Sequence, residues 1–259
     1  MASIETLRVF PVKGLDGAAV EAAAVRSGGT LAGDREFALF DADGDVLNGK
    51  RTPLVHEVDA AFDPAERTLA VEAPGMPSET FDIDADRDAA ASWFSEHFGE
   101  PLDLERDDDT GFVDRPDVGP SVVSTATLET VASWFDDLTV DSVRRRLRAN
   151  VEVGGVEPFW EDRFLGDGAP AFDADGVRFR GVEPCGRCVV PERDPDTGDA
   201  LPGFRERFVE RRRETLPECA DRDAFEHFYA VMILTTVADA DRGRTLRVGD
   251  PVSVVETAE

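Results

Sequence analysis

Residues 183–199 read EPCGRCVVPERDPDTGD and hold two of the chain's three cysteines. A Cys-x-x-Cys is open to four uses: a redox dithiol, half of a zinc site, a thiolate ligand to another metal centre, or two packed thiols. A thioredoxin-like pair needs its first cysteine at a helix N-terminus, where thiol acidity rises. Here Cys188 runs instead into Val189, Val190, Pro191 and the turn DPDTGD. A structural zinc ion takes four ligands, commonly from two paired clusters. Only Cys219, His56, His97 and His227 remain, and none of them forms a second pair. Pro184, Gly186 and Arg187 make a tight polar turn around the two thiols. An arginine beside Cys188 favours its thiolate, so the setting suits metal ligation better than core packing.

The formal net charge is −27, from 55 acidic against 28 basic residues, and only Lys13 and Lys50 are lysines. In so negative a chain the run Arg144, Arg145, Arg146 and Arg148, followed by Asn150, is costly unless it holds something anionic, and a fixed phosphate suits arginine geometry. Lys13 stands at a strand end in FPVKG, and Arg35 follows a Gly-Asp turn in GDR. Ser124 and Thr125 open an apolar helical pattern, and a helix entrance is a natural anion site. Each basic residue alone is compatible with a surface ion pair. As a set they read as the cradle of a phosphorylated cofactor.

The elements that carry these residues are mostly strands. IETLRVFPV, AAAVRS, REFALFD and VLNGKR are separated by Gly/Asp turns such as DADGD, and TLAVEAP and ETFDID continue the pattern. DRDAAASWFSEHFG is expected to be an amphipathic helix that opens on Asp, ends on Gly and packs Trp93 and Phe94 into a core. SVVSTATLETVASWFDD reads as a second helix with a Ser/Thr start, RRRLRANVEVGG as a basic turn entering a strand, GVRFRGVEPC as a strand and RFRERFVERRRETL as a helix or solvated arm. FEHFYAVMILTTV and LRVGDPVSVVE read as closing strands. The Asp-, Gly- and Pro-rich stretch 104–121 is the expected linker or long loop. Two domains are therefore expected, 1–104 and 105–259. The class is mostly β with helices, an α+β chain curled into a barrel rather than a doubly wound sheet.

With 41% hydrophobic residues the chain can bury a real core. No apolar run approaches the ~20 residues of a membrane span, and the N-terminus shows no leader pattern. A cytoplasmic, membrane-free protein is expected, with thiols kept reduced. So acidic a chain repels nucleic acid and anionic lipid. Its self-repulsion is screened at molar salt, where the Debye length is roughly 3 Å, so the composition points to a halophilic setting.

The order FPVKG, GDREFALFDADG, STATL, RRRLRANVEVGGVEPFWED, EPCGRCVVPERDPDTG and LRVGDPV resembles, nearly end to end, the MOSC proteins with an N-terminal β-barrel. It is most similar to the amidoxime-reducing branch, which is related to the C-terminal domain of molybdenum cofactor sulfurases. The resemblance implies a MOSC N-terminal β-barrel domain over 1–104 and a MOSC domain over 105–259. It also implies a molybdopterin-type molybdenum cofactor whose metal is ligated by Cys188. Lys13, Gly14, Arg35, Ser124, Thr125, Arg148, Asn150 and Arg187 are the implied cofactor-holding positions, with Cys185 a packed thiol. Gly14 replaces the serine common in the family, and an aromatic position falls on Phe228 with Tyr229 adjacent. The implied activity is reduction of small N-oxygenated compounds with electrons from a separate ferredoxin- or cytochrome b5-like protein. The alternative is a carrier of the cofactor, or of a persulfide on Cys188, without substrate turnover.

Overall fold

The structure, a computed structural model, describes residues 1–256. In chain order the strands of the first half are β1 Ser3–Val9, β2 Ala18–Val20, β3 Ala22–Ala24, β4 Phe37–Asp41, β5 Asp59–Asp63, β6 Thr68–Glu72, β7 Glu79–Asp82 and β8 Leu102–Arg106. The second half supplies β9 Ser121–Ser124, β10 Val151–Gly154, β11 Ala171–Ala174, β12 Val177–Gly186, β13 Ala230–Val237, β14 Thr245–Arg247 and β15 Val252–Val255. Four α-helices join them: α1 Arg87–Phe98, α2 Thr125–Ser133, α3 Val140–Leu147 and α4 Phe204–Glu214. The chain is thus a mixed α+β protein, as its residue pattern indicates.

One eight-stranded sheet runs β15-β11-β12-β13-β9-β10-β1-β2, antiparallel except for the parallel pair β9 and β10. Its curl brings Ser3 of β1 to a single bridge with Pro251, next to β15. No continuous ladder closes the ring among the described residues, so the expected barrel is a curled sheet that stops short of closure. Alternation along β9 buries Val122 on one face, among Leu7, Phe172 and Ile233, and Val123 on the other, among Leu128, Leu147, Phe208 and Tyr229. Helices α2, α3 and α4 cover that second face. Most of the region from residue 12 to residue 104 wraps a separate core built on Phe37, Leu69, Phe81, Phe94 and Leu104. The residues that precede it, Ile4, Leu7 and Val9, lie in the core of the large sheet.

Local chemistry sets the element ends. Gly99 closes α1 in the left-handed conformation, Ser124 caps α2 by accepting from the Thr127 N–H, and Thr139 caps α3 by accepting from Ser142. Two expectations change. Arg144, Arg145 and Arg146 form the last turn of α3, where cations meet the negative end of the helix dipole, instead of a turn. VLNGKR is not a strand: Asn48 accepts from the Lys50 N–H through Oδ1, and from Arg51 and Thr52 through its backbone oxygen, which folds the segment into a turn. The linker expected over 104–121 begins inside β8, and the rest of it is a packed strap. The strap is tied by Thr30 Oγ1 donating to the Thr110 oxygen, Phe112 N–H to Arg35 and Gly119 N–H to Thr235. Gly111 has a positive φ, and a Cβ there would meet the Asp34 oxygen at 2.7 Å, so the strap lies directly on the turn that carries Arg35.

Candidate functional site

Between Pro184 and Gly186 the ladder to β13 slips: Pro184 faces Ile233 and Gly186 faces Ala230, so Val231 and Met232 together oppose Cys185. Met232 takes a positive φ of 60° to accommodate the extra residue. Such a bulge bends a strand and re-aims the residues beyond it. Past the bulge the Arg187 N–H still donates to Tyr229, but the chain leaves the sheet at Cys188 and turns through a short 3-10 segment, Val190–Glu192.

A cleft of about 520 Å³ opens there. Lys13, Gly14, Arg35, Arg148, Asn150, Arg187 and Cys188 all line it, which brings together residues far apart in the sequence. Gly14 has a φ of 97° and lies against Asn48 and the Leu47 oxygen, a conformation in which a serine is strained. Ser124 and Thr125 are not among the lining residues. Ser124 is buried, hydrogen-bonded to Thr127 and Glu157, and Thr125 Oγ1 donates to Glu5. The serine of β9 that does line the cleft is Ser121, three residues earlier.

The arginine run divides in the same way. Arg144 pairs with Glu152 through two contacts of 2.7 and 3.1 Å, Arg145 with Asp16 at 2.8 Å and Asp196 at 2.7 Å, and Arg146 with Asp194 and the carbonyl oxygens of Pro191 and Arg193. Carboxylates distant in sequence therefore neutralise three of the four. Arg148 has no such partner among the described residues. It caps α3 in the left-handed conformation, φ 60°, and its guanidinium lies 4.2 Å from the centroid of the buried Phe10 ring, which Arg35 also contacts at 5.0 Å. Burial and the neighbouring Arg35 push Arg148 down to about 10. An under-neutralised cation facing a cleft is what anion binding requires. Arg35, by contrast, is paired with Asp34.

Two further residues of the cleft wall also carry internal contacts. Asn150 is a clamp: Oδ1 accepts from Ser121 N and Oγ at 3.2 and 3.0 Å, and Nδ2 donates to the Arg8 oxygen at 3.1 Å, so its amide holds β9, β10 and β1 together. Arg187 is engaged by Cys185 and by the end of α3. Its Nη1 lies 3.0 Å from Cys185 Sγ and its Nη2 donates to the Leu147 oxygen at 2.9 Å, with Cys185 packed against the helical core. No hydrogen bond reaches the Cys188 thiol among the described residues. Phe228 and Tyr229 fall in separate cores, and neither lines the cleft.

Residue reasoning missed Lys50, Asp114, Phe10 and Ser121. Lys50 carries a signal, as one of only two lysines in the chain; Asp114 is hidden among the many acids of the strap. Among the described residues no group of three or more His, Cys, Asp or Glu is placed to hold a metal ion, and no helix is long and apolar enough to cross a membrane.

Comparison with known proteins matches residues 1–91 to the MOSC N-terminal beta barrel domain and residues 116–253 to the MOSC domain. A molybdenum cofactor sulfurase from Oryza sativa subsp. japonica is 24% identical over 249 residues, covering 76% of this chain and 29% of that protein. The chain thus spans less than a third of that relative's length. A crystal structure of the YUAD protein from Bacillus subtilis aligns with 100% of this chain and 98% of that one, at 14% identity and a TM-score of 0.41.

Proposed function

The chain belongs to the MOSC domain family, whose model matches more than half of it, and from that membership we propose that the cleft holds a molybdopterin-type molybdenum cofactor beside Cys188. The observation that carries the reading is Arg148, a guanidinium with no carboxylate partner among the described residues, held in a strained backbone on the wall that also presents a thiol with no hydrogen-bond partner there. The donor set agrees: one soft sulfur for the metal, and cations for an anionic pterin side chain. The sulfurase relative, by its name, supports the same cofactor.

When bound, the cofactor supplies two-electron reduction of an N–O bond in a small N-oxygenated molecule, as in the amidoxime-reducing branch that the sequence resembles. The chain's own part is to bind and orient. Cys188 offers its sulfur as the ligand. Arg148, with Lys13 and Arg35, holds the anionic end, while the Asn150–Ser121 clamp fixes the strands on which Arg148 depends. A separate ferredoxin- or cytochrome b5-like protein delivers the electrons. Protein purified from a molybdenum-replete host is expected to contain molybdenum and releasable pterin in equal amounts. Metal-free, pterin-free protein from that host would overturn the reading.

The sulfurase relative also favours a second reading, in which the protein carries the cofactor or a persulfide on Cys188 for another enzyme. Cofactor-loaded protein given a chemical reductant and an N-hydroxylated model compound separates the two. Turnover supports the reductase, and its absence in loaded protein supports the carrier.

A further inference from the structure

Both lysines of the chain converge on one carboxylate. Lys13 Nζ lies 2.6 Å from Asp114 Oδ1, and Lys50 Nζ lies 2.7 Å from Asp114 Oδ2. All three residues line the cleft. Lys50 is carried on the Asn48 turn, whose hydrogen bonds form within the turn itself. Asp114 belongs to the strap, and its side chain is 58% exposed despite the two contacts. The strap is anchored on either side of it, by Phe112 on Arg35 and by Gly119 on Thr235, while Arg115 pairs with Glu183 of β12. Only a few residues would have to shift to release the carboxylate.

The charges do not balance. Two ammonium groups face one carboxylate, and Arg148 adds a further cation to the same cleft with no carboxylate of its own among the described residues. A dianion satisfies two ammonium groups more fully than a single carboxylate does. Burial alone raises the Asp114 carboxyl, yet the two lysines hold it well below the usual carboxylate range, so at neutral pH it is a full anion competing for their charge.

We propose that Lys13 and Lys50 form one binding position for a phosphate monoester dianion, and that Asp114 is a built-in competitor that yields the position when the phosphate enters. The phosphate can belong to the cofactor or to a phosphorylated substrate, and both present the same chemistry to the lysines. The position shares Lys13 with the cofactor cradle proposed above and to that extent rests on that reading, but it needs no metal.

Inorganic phosphate titrated calorimetrically into the full chain at constant ionic strength tests it. Asp114→Asn is expected to bind phosphate roughly five- to thirtyfold more tightly than the native chain, the equivalent of removing two partly exposed ion pairs. Lys50→Gln should weaken binding by several-fold. An Asp114→Asn protein that binds phosphate no better, or less well, would overturn the proposal and make Asp114 a strut. If that variant does not fold, chymotrypsin decides on the native chain: phosphate, but not chloride, should speed cleavage after Phe112, in the strap two residues before Asp114, as the strap is released, and an unchanged rate at that bond overturns it. The source is read by comparing loaded with cofactor-stripped protein. Lys50-dependent phosphate binding that persists in loaded protein assigns the position to a substrate, and binding seen only after stripping assigns it to the cofactor. Since inorganic phosphate needs no molybdenum, failure here is distinct from failure of the molybdenum reading.

Discussion

A guanidinium in a left-handed backbone position beside a second guanidinium costs free energy, roughly 1–2 kcal/mol for the backbone alone. Arg148 accepts that cost on the wall of the cleft. Replacing it with alanine is therefore expected to leave the thermal midpoint of the unloaded protein nearly unchanged. The cofactor should be held about ten- to a hundredfold less tightly, the loss of one charge-assisted contact; pterin retained after dilution and dialysis measures this. The two thiols should separate as sharply. Both line the cleft, but Cys185 is also packed against the helical core and lies against Arg187, whereas no hydrogen bond reaches the Cys188 thiol among the described residues. Cys188→Ala should abolish reductase activity and remove one sulfur from the metal's X-ray absorption shell. Cys185→Ser should keep appreciable activity and cost about 1–2 kcal/mol of stability. Equal and complete inactivation by either substitution is the result that contradicts this assignment.

Glu161 places an acid between elements. It sits on the short 3-10 turn Trp160–Phe164, fully buried, and its Oε2 accepts from the Ser124 N–H at 3.2 Å, which ties the turn to β9. Its other oxygen has no partner among the described residues. Burial, then the adjacent Asp162, push its carboxyl from 4.5 up to about 7. The folded chain thus keeps a proton that the unfolded chain has released, so this group's contribution is complete below about 4.5 and falls as pH rises to about 7. Glu161→Gln should remove that slope, and the native chain should lose up to about 3 kcal/mol relative to the variant between pH 4.5 and 7.5. Denaturant midpoints at several pH values measure it; parallel curves for the two proteins would contradict the assignment. Which elements were legible in the sequence depends in the same way on local against distant partners. α1 declares itself through Gly99, and α2 through Ser124, because these caps lie within a few residues of the groups they satisfy. The RRRLR run misleads, because its neutralising partners Asp16, Glu152 and Asp194 are spread along the chain and only the fold reveals that Arg148 alone is left over. The STATL entrance misleads for the opposite reason: its helix cap is real, but Thr127 and Glu157 already satisfy it. Asp114 could not be singled out before the strap was seen to cross the lysines.

The whole molecule carries −27 with ion pairs unevenly spread. Glu36, buried, gathers Arg26, Arg67 and Arg106 from separate parts of the chain. That network is shielded from added salt, while the uncompensated carboxylates of the surface are exposed to it. Raising KCl from about 0.1 to about 3 M should therefore relieve repulsion without undoing the internal pairs. A gain of about 2 kcal/mol is expected, roughly 4–8 °C in thermal midpoint. A midpoint that stays flat or falls along the salt series would remove the halophilic reading.

The sheet also sets a timetable for synthesis. β2 pairs with one edge of β1 early, but the other edge pairs with β10 through Leu7↔Val151 and bridges at Pro251, so that edge waits for residues made much later. At ribosomal speed that delay is on the order of ten seconds. The core around Phe37 and Phe94 can meanwhile assemble from contiguous sequence. β1 is thus among the last strands to settle, and until β10 arrives an apolar strand containing Ile4, Leu7 and Val9 is paired on the β2 side alone. A chaperone acting on the nascent chain has its reason to bind at β1, whose core contacts form late, and less reason to bind at β15, whose partner β11 is already made.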